Sequence, residues 1–169
     1  MNLRLDILGD SGTPDGPGPE APADELIEAV HRGDAPAVKR LIEAVPQRTH
    51  VHVELSLPVG DEIATQQWLP LHHAAALGDA AIVAMLLDAG GHPDARTRAA
   101  TPDAARATAL HLAAAGGHLP VIDLLLDAHA EPNVIDADGY TPLAYAGAPA
   151  VRARLIDGGA DPAVGRGME

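Results

Sequence analysis

Apolar residues recur along this chain in pairs of short runs, each spaced as on one face of a helix, with a glycine between the two runs of a pair. Three such segments align at residues 69–90, 108–128 and 138–161, and a degenerate copy precedes them at 24–45. Leu110 follows Leu71 by 39 residues, and Leu143 follows Leu110 by 33. Because one pair of short helices cannot bury its own apolar face, this repetition predicts stacked units that share a single core.

Capping residues mark the limits of the predicted helices. Thr108 and Thr141 lie at N-cap positions, and Asp24 fills that position in the first segment. Proline follows at the first helical position of two segments, where its missing N–H costs nothing. The glycines at 33, 78 and 117 end the first helix of a pair with positive φ. The predicted helices are 25–32, 35–45, 70–77, 80–89, 109–116, 119–128, 142–147 and 149–158.

The motif that runs through these segments resembles the ankyrin repeat. It combines a T-P-L-H-x-A-A helix start, a G-H or G-D turn and an apolar second helix. The resemblance implies an all-α, ankyrin-repeat α-solenoid of about four repeats. The alanine enrichment, which is typical of GC-rich genomes, favours a small bacterial protein. It also implies that His72 and His111 hydrogen-bond to the backbone of a neighbouring finger, and Ala144 departs from the pattern by replacing that histidine. The domain is expected at 23–165, with repeats at about 24–48, 68–98, 106–136 and 138–163.

Two segments lie outside the repeats. Residues 1–22 are predicted to be an N-terminal tail with a flexible Pro/Gly linker. Residues 49–67 form an insertion between the first two repeats, and within it Val51 to Leu57 alternate apolar and polar side chains. A turn at 58–61 and a return strand at 62–68 would complete an enlarged β-hairpin finger.

Composition and charge narrow the functional classes. The chain has no cysteine, which excludes disulfides, thiolate metal sites and a cysteine nucleophile. The start of the chain has no long apolar run, so we expect no signal peptide and a cytoplasmic location. A formal net charge of −13 disfavours nucleic acid and acidic membranes as partners and favours a protein with a basic surface.

The sequence contains no strong candidate for a catalytic site or a metal site. The nine histidines include His52, which would share a strand face with Glu54, and a metal site there is the less favoured alternative to a solvated face. No nucleophile–base arrangement or phosphate-binding glycine loop stands out. We therefore predict a non-enzymatic protein without a cofactor, monomeric on its own.

The remaining hypothesis is a protein-binding surface on the finger ends and the inner helices. Large aromatic residues are scarce, yet Trp68 and Tyr140 occupy equivalent positions in two repeats, where they are typical interface anchors. An equally open alternative is that Trp68 only packs the insertion against the second repeat. The predicted partner-binding residues are Trp68, Tyr140, Gln66, Leu77, His31 and Arg32, with Glu62, Asp103, Asp136 and Asp138 steering a basic partner.

Three functions remain open at this point. The chain could be an inhibitor, for example an immunity-type protein that blocks a toxin. It could also be an accessory protein of an enzyme system, delivering a cofactor or metal or protecting against oxidants. A purely structural remnant of a fusion is the third alternative.

Overall fold

The computed structural model describes residues 21–44, 49–50, 53–59, 62–99 and 106–165, with the backbone alone described at 21–24, 53–59, 62–66 and 99. Its helices are α1 (Ala21–Arg32), α2 (Ala35–Ala44), α3 (Pro70–Leu77), α4 (Ala80–Asp88), α5 (Ala109–Gly116), α6 (Leu119–Asp127), α7 (Pro142–Tyr145) and α8 (Pro149–Asp157). Its strands are β1 (Val53–Val59), β2 (Glu62–Trp68) and β3 (Arg98–Ala99). None of the helices in this part of the chain is long and apolar enough to cross a membrane.

The helices form a stack of antiparallel pairs in two layers. The inner layer runs in the order α1, α3, α5 and α7, each packed on the next, and the outer layer runs α2, α4, α6 and α8. Each pair contacts its neighbours mainly through equivalent helices, as expected where every repeat depends on the adjacent one for its core. The all-α repeat architecture predicted from the sequence is confirmed for the helical part of the chain.

One continuous core runs through the whole stack, from Leu26 in α1 to Ala160 after α8. Its largest fully buried apolar side chains are leucine, isoleucine and valine, and no phenylalanine exists in the chain to join them. Between the inner helices the core narrows to alanine: Ala74, Ala75 and Ala113 are fully buried. Such small side chains allow the inner helices to approach closely, which explains how an alanine-rich chain forms a well-packed solenoid.

Seven of the eight helices begin at the residue that the capping pattern predicts. The exception is α1, which begins at Ala21 and not at residue 25. Asp24 is therefore inside the first turn rather than at the N-cap, and residues 21 and 22 belong to a helix rather than to the predicted linker. Pro22 permits this early start because a proline in the first turn lacks only an N–H that has no helical acceptor.

The last inner helix, α7, is shorter than predicted. It ends at Tyr145 because Ala146 has an extended conformation, with φ −71° and ψ 97°. Pro149 then begins α8. The chain thus makes the connection through Gly147 and Ala148 without the left-handed glycine found at Gly78 (φ 77°) and Gly117 (φ 74°).

The three strands form one small antiparallel sheet in the order β1–β2–β3. The register of β1 on β2 runs from Val53 opposite Trp68 to Val59 opposite Glu62. The strand β1 continues through Pro58, so the connection is only residues 60–61, shorter than the predicted turn at 58–61. A proline is acceptable there because β1 is an edge strand of the described sheet. Gln67 of β2 pairs with Arg98 of β3 and so joins the insertion to the connection that follows α4.

Candidate functional site

Three connections project from the same end of the inner helices, and we call them fingers. Finger 1 is the β1–β2 pair, finger 2 is the connection from residue 92 to 107, and finger 3 is the connection from 131 to 140. We use "inner face" for the exposed positions on α1, α3, α5 and α7. The candidate site consists of the finger ends together with this inner face.

Two buried histidines fix fingers 2 and 3 to the helix stack. In α3, Nδ1 of His72 accepts the Leu69 N–H (3.0 Å), and Nε2 lies 2.8 Å from the Ala95 carbonyl oxygen. Because Nδ1 accepts a hydrogen bond, the proton is on Nε2, which donates to Ala95. His111 repeats this arrangement in α5, accepting from Thr108 N–H (3.1 Å) and donating to the carbonyl oxygen of Tyr140 (3.1 Å). Both histidines thus have the scaffold role that the family resemblance implies.

Trp68 lies at the end of finger 1 and packs back onto the stack. It is half-buried, and its ring is tilted 57° against the ring of His73, with 5.3 Å between centroids. A second, more distant contact joins it to His72 at 6.5 Å. The packing interpretation of Trp68 therefore has direct structural support, while part of the ring stays accessible to a partner.

His73 and His31 form a pair that connects the first two repeats. His31 Nε2 lies 2.9 Å from His73 Nδ1, and the two rings meet edge to face at 4.7 Å. His73 is only 2% exposed, and burial, reinforced by His31 and His72, lowers its pKa to about 3. Among the described residues, Nε2 of His73 has no hydrogen-bond partner. His73 is therefore held neutral at the base of the inner face.

His31 and Arg32, both predicted to contact a partner, lie exposed at the end of α1. Burial against the stack lowers the pKa of His31. Arg32 forms an ion pair with Glu28 one turn earlier, at 3.3 Å, and its Nε donates to the Glu28 carbonyl oxygen. The structure places these two residues on the inner face, but each of them already has a partner within the fold: His73 for His31 and Glu28 for Arg32.

Finger 3 presents the largest exposed aromatic surface. Tyr140 is 37% and Tyr145 39% exposed, and their ring centroids are 6.1 Å apart in an edge-to-face arrangement. Tyr145 Oη donates to Asp136 Oδ2 at 2.5 Å, and burial together with this carboxylate raises the pKa of Tyr145. Asp136 Oδ1 also accepts the N–H groups of Asp138 and Tyr140, each at 2.9 Å. The carboxylate of Asp136 thus shapes finger 3, while Asp138 is exposed.

Tyr145 is a candidate contact that the sequence prediction missed. It occupies the position in α7 that His73 has in α3 and Leu112 has in α5, counted from the shared leucine of each repeat. Of the three residues at this position, His73 is buried, Leu112 is half-buried and only Tyr145 is exposed. Its ring also meets His111 edge to face at 6.0 Å, so it connects the scaffold histidine to the exposed surface.

The centre of the inner face carries small residues. Leu77 at the end of α3 is 51% exposed, and its equivalent in the next repeat, Gly116, is exposed as well, together with the adjacent Ala115. Gln66 and Glu62 lie in β2, opposite Leu55 and Val59, with only their backbone described. Asp103 lies outside the described residues.

Three arginines in finger 2 complete the site, and the sequence prediction overlooked them. Arg96, Arg98 and Arg106 are all exposed, and together with Ala95 and Thr97 they line one shallow hollow. Their positive charge is opposite to that of the acidic residues that the sequence predicts to steer a basic partner. The signal was present in the sequence as an arginine-rich connection in an acidic chain.

Comparison with known protein families agrees with this architecture. Residues 66–98 match the family model described as "Ankyrin repeat", and residues 98–146 match the one described as "Ankyrin repeats (many copies)". No protein of curated function matches the chain. The matched region includes the end of β2 (66–68), α3 to α6 and the short helix α7, with fingers 2 and 3 between the helix pairs. The helix pairs of residues 66–146 thus match ankyrin repeats, in agreement with the stacked architecture of this part of the chain.

Proposed function

We propose that the chain is a non-catalytic binding module that captures a partner protein with its inner face and finger ends. Ankyrin repeats generally serve as protein–protein interaction modules. The observation that carries the proposal is an uneven row along the inner face: Leu77 at one side, Tyr145 at the other, and only Ala115 and Gly116 exposed between them. Such a surface fits a helix or loop of the partner that packs over the small residues and contacts the large residues on either side.

Inhibition by occlusion is the mode of action that this surface supports best. The histidine bonds to Ala95 and Tyr140 hold fingers 2 and 3 before any partner arrives. A preformed surface loses little conformational entropy on binding, which favours the tight association that an immunity-type inhibitor needs. We propose a cytoplasmic, monomeric inhibitor, and Asp138 on finger 3 would meet a basic group of the partner.

Site-specific photo-crosslinking identifies the partner and tests the surface together. A photoreactive residue replaces Leu77 on the inner face or, as control, Ile156 on α8, which is similarly exposed at 44% against 51%. We expect one protein from the native host to be crosslinked through position 77 and not through 156. Equal crosslinking from both positions would contradict the proposal.

With that protein purified, the substitution Ala115→Arg fills the small centre of the inner face. Its matched control is Ala153→Arg, at an exposed position of the outer helix α8. We expect Ala115→Arg to weaken binding at least a hundredfold, because a long charged side chain stands where the partner inserts, and Ala153→Arg to change affinity less than twofold. Unchanged affinity in both variants would remove the inner face from the site.

Trp68 and Tyr140 should differ in this assay because their burial differs. Tyr140→Ala should weaken binding by about 2 kcal/mol, the typical loss for an aromatic anchor, with little effect on the melting temperature. Trp68→Ala should lower the melting temperature as well, since the ring packs on His73. If Tyr140→Ala binds as tightly as the wild type, Tyr140 is not an anchor.

A further inference from the structure

The arginines of finger 2 are held on a fixed backbone. Thr97 N–H donates to the Ala107 carbonyl oxygen (2.9 Å), and Ala107 N–H donates back to Thr97 Oγ1 (3.1 Å). Thr97 is only 2% exposed. These bonds close the base of the finger between Arg96 and Arg106. The backbone at the base of finger 2 is therefore fixed next to Arg96 and Arg106, and all three arginine side chains are exposed.

The charge environment of these arginines differs from that of some cationic side chains but not of all, because Arg40 and Arg152 also have no carboxylate within 4.0 Å among the described residues. Three other cationic side chains in the described residues have carboxylates within 4.0 Å, in the pairs Arg32–Glu28, Lys39–Glu43 and Arg154–Asp123. No described carboxylate lies that close to Arg96, Arg98 or Arg106. Arg96 instead donates to the carbonyl oxygen of Ile135, at 3.0 Å. Arg98 and Arg106 are thus left to solvent within the described part of a protein whose net charge is −13.

Their position is the centre of the candidate site. Arg98 pairs in the sheet with Gln67, the residue next to Trp68, and Arg96 bonds to finger 3, which carries Tyr140. The three fingers therefore present tryptophan, arginine and tyrosine in consecutive order. These are the three residue types most enriched among the strongest contributors to protein interfaces.

We propose that finger 2 binds an acidic segment of the partner protein, with Arg98 and Arg106 as the principal contacts. This inference rests on the proposed function and deepens it, because the partner that offers a basic group to Asp138 would also present carboxylates at finger 2. A guanidinium group donates two parallel hydrogen bonds to a carboxylate, which a solvated lysine cannot match. A nucleic acid does not fit, since a long polyanion would face the negative charge of the whole chain.

The net charge does not prevent a short acidic segment from binding. At about 0.15 M ionic strength the Debye length is about 8 Å, so charges on distant repeats are largely screened. Contacts of about 3 Å between guanidinium and carboxylate lie well inside that length. At physiological salt, attraction of the acidic segment by the nearby arginines should therefore outweigh repulsion by the net negative charge. The experiment is done at that ionic strength.

The test uses the full chain and three probes, which are acetylated hexaglutamate, hexalysine and inorganic phosphate, at matched ionic strength. Binding is followed by the NMR signals of arginine Nε–H and Trp68 Nε1–H. The double variant Arg98→Gln/Arg106→Gln removes two charges and leaves the Arg96 bond to finger 3 intact. Its control is Lys39→Gln/Arg40→Gln, which removes two charges from exposed positions of α2.

We expect hexaglutamate to shift the signals of Arg98 and Arg106, with at least tenfold weaker binding in the finger 2 variant and less than a twofold change in the control. Equal binding by both variants would overturn the proposal. So would inorganic phosphate binding as tightly as hexaglutamate, since the site would then be a general anion site.

This outcome is separable from that of the proposed function. If Ala115→Arg abolishes partner binding but the arginine signals do not respond to hexaglutamate, the binding module stands and the acidic segment is wrong. If hexaglutamate binds in an arginine-dependent way while Ala115→Arg leaves partner binding unchanged, the acidic site stands and the inner-face proposal is wrong.

Discussion

At the scale of single residues, local motifs were predictable and cross-repeat contacts were not. The roles of His72 and His111 follow from a motif whose hydrogen-bond partners lie at a fixed offset in the next finger. His73 has no such motif. Its pairing with His31 depends on how α1 and α3 pack against each other, which cannot be read from either residue.

The buried neutral His73 should make stability fall in acid. Its pKa of about 3 in the folded protein lies below the usual 6.5, so the unfolded chain binds more protons between these pH values. The free energy of unfolding should therefore fall by about 2 kcal/mol between pH 7 and pH 5 from this residue alone. The lowered pKa values of His31 and His111 act in the same direction.

Urea unfolding of His73→Leu at the two pH values measures this contribution. Leucine suits the position because Leu112 occupies its equivalent in α5. We expect the acid-induced loss to shrink by about 2 kcal/mol relative to the wild type. The control His129→Asn, at an exposed left-handed position (φ 63°), should keep the wild-type loss. An identical acid-induced loss in His73→Leu and wild type would show that His73 does not titrate as inferred.

At the scale of elements, helix starts were predictable because their signals are local. Proline at the first helical position and threonine at the N-cap act within one turn, and α3, α5 and α7 begin where these signals place them. The end of α7 was not predictable from local signals, because Tyr145 is held by a hydrogen bond to Asp136 of finger 3. The length of β1 depends likewise on its pairing with β2. Most residues of β1 pair with a residue of β2 that is seven or more positions later in the chain.

Two helix ends with the same backbone conformation should respond differently to a methyl group. Gly117→Ala should cost about 1 kcal/mol, since φ is 74° and an added Cβ meets no atom within 4 Å. Gly78→Ala has a similar φ of 77°, but its Cβ would collide with the ring of His118, which bonds to the Ala76 carbonyl oxygen at 3.1 Å. We expect it to cost at least about 1 kcal/mol more, because that hydrogen bond is displaced.

Urea titration of both variants gives the comparison, and His118→Ala isolates the collision. In the His118→Ala background, Gly78→Ala should cost no more than Gly117→Ala does in the wild type. If the extra cost persists without the imidazole ring, its origin is the backbone and not the contact between α3 and α6.

At the scale of the whole molecule, repetition predicted the order of the stack. Aligning Leu71, Leu110 and Leu143 placed three repeats in sequence, and the inner helices pack in that same order. The composition of the candidate site was harder to predict from the sequence. Arg98 and Trp68 are 30 positions apart in the chain, and only the β2–β3 pairing brings their fingers side by side. The net charge of −13 describes the whole chain and concealed a cationic centre in one finger.

A linear stack should also be less stable in a terminal repeat than in a central one. The helix α5 packs against both α3 and α7, and α6 against both α4 and α8, whereas in the described residues α7 and α8 have a neighbouring repeat on one side only. The stability of a repeat is approximately the sum of its intrinsic free energy and the free energies of its interfaces with neighbouring repeats. The pair α7–α8 has one such interface fewer than α5–α6. We expect amide exchange to show a lower opening free energy in α7–α8 than in α5–α6.

Two equivalent leucines make this prediction specific. Leu125 in α6 and Leu155 in α8 are both fully buried, so truncation to alanine should remove a similar core contact, worth about 2–5 kcal/mol. Leu155→Ala should reduce amide protection chiefly in α7 and α8, because the remaining repeats still stack on one another. Leu125→Ala should reduce protection from α3 to α8, since it breaks the interface that joins both halves. Hydrogen exchange resolved by helix distinguishes the two patterns. If Leu155→Ala lowered protection equally in α3 and α4, the stack would unfold as one cooperative unit, and the interface-by-interface description of its stability would be wrong.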